Sequence, residues 1–94
     1  MSDVFIYFVT LLLTMPYVHG FVIDKHKRPI ENATIALPSA SMFALSGEDG
    51  FFEFEDVPSG IQRFNVVHRN FQKFVSDLMI VQEMEITIDL DDQM

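Results

Sequence analysis

An all-β fold, a seven-stranded antiparallel β-sandwich, is predicted by two observations. Apolar residues recur at every second position from Tyr17 onward, and turn residues interrupt them about every ten positions. No stretch beyond Tyr17 repeats apolar residues at helical spacing, so nothing competes with that reading.

The strands follow in order. Val18, Gly20 and Val22 share one face of the first, and the polar run Asp24 to Pro29 turns the chain. Ala33, Ile35 and Leu37 alternate with Thr34 and Ala36 in the second. Pro38 to Ser41 breaks it, and Met42 to Leu45 makes a short third strand. Gly47 to Gly50 reads as a hairpin loop, because Asp-Gly supplies the positive φ that tight turns need. Phe52 and Phe54 alternate with Glu53 and Glu55, a half-buried fourth strand with a charged outer side. After the turn Pro58 to Gly60, Gln62, Phe64 and Val66 alternate with Arg63 and Asn65. His68 to Asn70 turns again, Phe71 to Val81 is extended, and Met84, Ile86, Ile88 and Leu90 alternate with Glu85, Thr87 and Asp89. The expected core is Phe52, Phe54, Phe64, Val66, Ile86 and Ile88, with Glu53, Glu55, Arg63 and Thr87 outside.

Ninety-four residues allow one domain. There is no cysteine, so no disulfide staples it. Ten phenylalanines supply large apolar area for so short a chain. Marginal stability is expected, and a partner surface relieves it. Fourteen Asp and Glu against six Lys and Arg give a net charge of -8. Such a surface repels phosphate backbones and anionic head groups, which disfavours nucleic-acid binding.

Val4 to Val18 carries no charge over 15 residues. That is short for a membrane span of about 20 residues and suits a signal-peptide core of about 7–15. Residues 1–16 are therefore expected to be a signal peptide or an uncleaved signal anchor, residues 17–90 the sandwich, and residues 91–94 an acidic tail. A buried element of the fold is the third reading of the apolar segment.

No catalytic set is legible. The serines lack a nucleophile-elbow context, and His19, His26 and His68 have no metal-site spacing. Glu48, Asp49, Glu53, Glu55 and Asp56 lack the ligand ladder of a calcium loop. The expectation is a non-enzymatic domain without cofactor or metal. Asn32-Ala33-Thr34 is an N-glycosylation sequon at a turn-to-strand boundary. Phe43, Phe51 and Phe71 are candidates for an interaction surface, because they can point away from the core.

Gly20-x-Val22-x-Asp24, Arg28-Pro29-Ile30-x-Asn32-Ala33-x-Ile35-x-Leu37 and Glu48-Asp49-Gly50-x-Phe52-x-Phe54-x-x-Val57-Pro58-x-Gly60 resemble the carboxypeptidase regulatory-like, transthyretin-like sandwich family. The resemblance covers residues 17 to 90 and implies a sandwich. Zinc ligands of an accompanying peptidase are absent from this chain, so that activity does not carry over. Within the family, the Phe54 to Gly60 stretch and the later aromatic-rich strand look like the lumenal domain of subunit seven of the endoplasmic reticulum (ER) membrane protein complex. That likeness implies a signal peptide, a lumenal location, and protein subunits of an ER membrane complex as partners in inserting transmembrane proteins. Gln62 and Asn70 depart from the family's usual aromatic and glycine. The family's ER subunit also carries a C-terminal membrane helix, while this sequence runs to Met94 just after its last strand. The alternative expectation is a carbohydrate-binding module of the secretory pathway, with a glycan laid across exposed aromatics.

Overall fold

The computed structural model describes residues 15–93, so the Val4 to Thr14 part of the apolar segment lies outside the described residues. Seven strands form: β1 (Val18–Asp24), β2 (Thr34–Leu37), β3 (Met42–Leu45), β4 (Phe51–Phe54), β5 (Gly60–Val67), β6 (Phe74–Ile80) and β7 (Met84–Leu90). They assemble as two packed sheets, one in the order β4-β1-β7 and the other in the order β3-β2-β5-β6. The expected seven-stranded sandwich is present.

The apolar core is drawn from both inner faces. Val18 and Val22 of β1, Ile35 and Leu37 of β2, Phe52 and Phe54 of β4, Phe64 and Val66 of β5, and Ile88 and Leu90 of β7 are all buried. Each such side chain contributes about 1.5–3 kcal/mol of transfer free energy. Among the described residues the apolar core cluster runs from Val18 to Leu90. Glu53, Glu55, Arg63 and Thr87 are exposed, as the alternation requires. Ile86 departs from expectation and is only half-buried. It lines an open groove of about 290 Å³ with Phe74, Leu78 and Ile88, because β6 and β7 end their sheets on the same side without pairing.

Further differences from the sequence expectation concern strand direction, turns and the start of the sixth strand. The β1–β7 pair is parallel, with Val18 opposite Met84 and Asp24 opposite Leu90. Alternation fixes which face a residue occupies but carries no strand direction. Gly47 to Gly50 is a tight turn but not a hairpin, since β3 and β4 belong to different sheets. Pro58 to Gly60 likewise crosses between sheets. The sixth strand starts at Phe74, and Phe71 instead bridges Asp92.

Two glycines are required by close approach. A Cβ on Gly20 would lie 1.9 Å from the Ile86 carbonyl oxygen, far closer than van der Waals contact allows. Gly50 has φ +82°, and a Cβ there would lie 2.6 Å from the Val22 carbonyl oxygen, whose strand donates the Val22 N–H to Gly50.

Buried polar groups shape the remaining turns. The Asp24 carboxylate accepts the His26 N–H at 2.8 Å, the Arg28 N–H at 2.9 Å and the Arg28 Nε at 2.9 Å. This over-determines a loop in which Lys27 takes φ 67°. Ser46 Oγ donates to the Ile30 carbonyl at 2.7 Å and accepts the Ala33 N–H at 2.9 Å, which pins the entry to β2. The start of the acidic tail is tied down. Asp91 accepts the Gln72 N–H, and Asp92 pairs with Lys25 at 2.7 Å.

Candidate interaction face

The two outer faces of the sandwich differ sharply in chemistry. On the three-stranded sheet, Phe51 and Glu53 of β4, His19, Phe21 and Ile23 of β1, and Glu85, Thr87 and Asp89 of β7 point outward. The Tyr17 hydroxyl donates to Glu53 Oε2 at 2.6 Å, and this bond to a carboxylate pushes the phenol up to about 12. Charge on this face is acidic.

The four-stranded sheet presents the opposite character. Phe43 and Leu45 of β3, Ile61 and Val67 of β5, and Val75 and Met79 of β6 are all large apolar residues left exposed on it. Phe43 is the extreme, at 75%. The register assembles them into rows. Thr34 sits between Leu45 and Val67, Ala36 between Phe43 and Asn65, Asn65 opposite Val75, and Ile61 opposite Met79. Arg63 and Asp77 face each other in the middle. Arg63 Nε lies 2.9 Å from Asp77 Oδ1 and Nη2 3.2 Å from Oδ2. The two-pronged bond holds the Asp77 carboxyl below its ordinary range and raises the guanidinium. The face thus carries one self-neutralised pair in an apolar field. Four strands about 4.8 Å apart and on average about 20 Å long give a face of roughly 400 Å², in which the apolar side chains flank the ion pair; the largest apolar patch on a soluble domain is of this order and is often functional.

The three aromatics expected to form one surface do not meet. Phe43 lies on the face just described. Phe51 is half-buried on the opposite face, edge-on to Phe21 at 5.5 Å. Phe71 is half-buried at the end of the sandwich against His68. The rest of the apolar face escaped sequence reading for a reason. Ile61, Val67, Val75 and Met79 occupy the outward phase of strands whose inward phase is also apolar, so alternation alone gave them no distinct signal.

Asn32 is exposed at φ 65°, and it shares a groove of about 410 Å³ with Thr34, Val67, His68 and Arg69 at one end of this face. His68 Nε2 lies 3.1 Å from the Glu31 carbonyl. Among the described residues no three His, Asp or Glu side chains gather as a metal site, and no helix is long and apolar enough to cross a membrane.

The fold and the motif chemistry define a carboxypeptidase regulatory-like domain. The chain matches that family over residues 17–91 and belongs to it. A search of curated protein sequences finds no match. Among solved structures, a chain of the type II cohesin–X-dockerin complex from Acetivibrio cellulolyticus is similar at TM-score 0.71 and 15% identity, over 80% of this chain and 56% of that one. A carbohydrate-binding candidate from Bacteroides uniformis is similar at TM-score 0.64 and 10% identity, over 80% and 40%. A hydroxyquinol 1,2-dioxygenase from Pseudomonas putida is similar at TM-score 0.68 and 11% identity, over 88% and 59%. This chain spans little more than half the length of the first of these. At such identities the likeness is one of fold, and the three differ in what they are named for, so function must be argued from surfaces.

Proposed function

We propose that this chain is a non-enzymatic β-sandwich module that acts by docking to other proteins, as a structural or accessory subunit of an ER membrane assembly that helps insert transmembrane proteins. The observation that carries the docking role is the apolar outer face of the four-stranded sheet. A small domain without disulfides gains from covering such a face, because each apolar group removed from water adds to a thin stability margin. The ER placement draws its support from the uncharged Val4 to Val18 segment, the Asn32 sequon and the likeness of the Phe54 to Gly60 stretch to the lumenal subunit.

The carbohydrate-binding alternative calls for neighbouring aromatic rings in one plane with amides beside them. Phe43, Phe51 and Phe71 stand on three separate surfaces, which favours the protein-docking reading.

The test is recovery of the tagged full chain from ER membranes in mild detergent, probed with antibodies to subunits of the transmembrane-protein insertase. Stoichiometric co-recovery is the expected result. Recovery of the membrane-derived chain free of every insertase subunit would overturn the assembly role.

A further inference from the structure

We propose that the outer face of the four-stranded sheet docks a second copy of this chain, with Phe43 of each copy seated in the groove beside Arg63 of the other. The proposal rests on reading this face as a docking surface, and it is independent of cellular compartment.

The face carries a knob and a hole. Phe43 projects from the edge strand β3. A shallow groove of about 460 Å³ opens on the same face between Pro38, Ser39, Ile61, Arg63, Asn65 and Asp77. Phe43 pairs with Ala36 and Ala36 with Asn65, so knob and groove are two strands apart. That is about 10 Å at ordinary strand spacing. A two-fold axis lying in the interface between them carries each Phe43 over the groove of the other copy, the self-complementary arrangement of a symmetric dimer. The groove suits a phenyl ring. Pro38 and Ile61 supply apolar walls, and Asp77 holds the Arg63 guanidinium in one place, where it can meet the ring face as a cation–π partner.

The knob and the groove on one face select a second copy as occupant, and the charge pattern permits it. Arg63 and Asp77 are the charged strand residues on the docking face and they neutralise each other. Glu53, Glu85 and Asp89 lie on the opposite outer face. Two copies meeting through the neutral face hold their acidic faces about 30 Å apart, several Debye lengths at roughly 8 Å each. The net charge of -8 opposes any association of two copies, but it opposes contact through this neutral face less than contact through the other, which sets acid against acid. A patch of roughly 400 Å² from each copy falls below the 1,200–2,000 Å² total of stable complexes, so the dimer is expected to be weak and concentration-dependent.

The chain contains no cysteine, so single cysteines report without background. Ala36→Cys lies near the proposed axis and Thr87→Cys on the far face. The full chain, in mild detergent at micromolar to tens of micromolar concentration, is treated with a short bis-maleimide. Ala36→Cys is expected to yield a cross-linked dimer, Thr87→Cys to remain monomeric, and added Phe43→Glu to lower the dimer yield at least tenfold. Ile61→Lys is expected to do the same from the groove side. Far-UV circular dichroism and an unchanged urea midpoint confirm that these exposed substitutions leave the fold intact. Monomer at every concentration, equal cross-linking from both faces, or a dimer indifferent to both substitutions overturns the proposal. Docking of the face on an insertase subunit is read separately, by the co-recovery experiment above.

Discussion

Phe54 of β4 and Phe64 of β5 meet edge to face, with ring centroids 6.5 Å apart and planes at 77°. The two rings come from different sheets, so the closure of the sandwich runs through this contact. Phe52 extends it, edge-on to Phe54 at 6.1 Å.

Replacing Phe54 by alanine removes that link and leaves a cavity at the centre of the core. A buried Phe→Ala change costs about 3–5 kcal/mol. A domain of this size holds about 5–10 kcal/mol in total, and this one has no staple. Phe54→Ala is therefore expected to lose about half of its stability, with the urea midpoint at room temperature falling to match. An unchanged midpoint would contradict the role of the contact.

Gln62 is predicted to respond in the opposite direction. It is buried, its Nε2 donates to the Pro58 carbonyl at 3.1 Å, and its Oε1 has no hydrogen-bond partner among the described residues. An unsatisfied buried acceptor costs about 1–3 kcal/mol. Gln62→Leu keeps the apolar face and removes that group, while the half-exposed Pro58 carbonyl can turn to water. The urea midpoint is expected to rise by the equivalent of about 1 kcal/mol. A fall would show that the Pro58 bond outweighs the unpaired oxygen.

Acid should weaken the fold in a defined window. The backbone N–H of Arg28 and its guanidinium hold Asp24 below the usual carboxylate range, and the Arg63 guanidinium does the same to Asp77. A carboxylate whose folded value is depressed binds fewer protons when native than when unfolded. Its contribution is complete above the unfolded value near 4 and is lost as pH falls through the lower folded value. Urea midpoints are expected to be flat from about pH 7 to 5 and to fall toward pH 3. Asp24→Asn should flatten that fall while lowering the plateau. An unaltered acid slope in the double variant Asp24→Asn, Asp77→Asn would remove both carboxylates from the explanation.

Much of this architecture is legible in the sequence because burial on a sheet has a period of two. Phe52, Phe54, Phe64 and Val66 were placed inside by that alone. Topology was not legible, since the same alternation serves a parallel neighbour for β1 and loops that change sheets. Ile86 was misplaced because the β6–β7 side stays open, a property of how two sheets end together. The docking face was half legible. Phe43 stood out, but Ile61 and Val67 flank the clean alternation of β5 at its two ends, while on β6 Val75 has an apolar neighbour on one side and Met79 on both. The Asp24 turn was visible only as a polar run, because three donors converging on one carboxylate is a matter of geometry.

The central claim, that this domain works in the ER lumen as a docking module, is tested most directly at Asn32. The asparagine is exposed and shares a groove with Thr34, while Ala33 between them is buried with its N–H on Ser46 Oγ. The folded sequon cannot extend without undoing the start of β2, so glycan transfer is expected on the nascent chain before β2 pairs with β5. The measurement is translation of the full chain with ER microsomes, followed by endoglycosidase digestion and protease protection. A protected species that loses mass on digestion, and is absent in Asn32→Gln, is the predicted result. A chain fully degraded by protease in intact microsomes, with no glycosylated form, would contradict it.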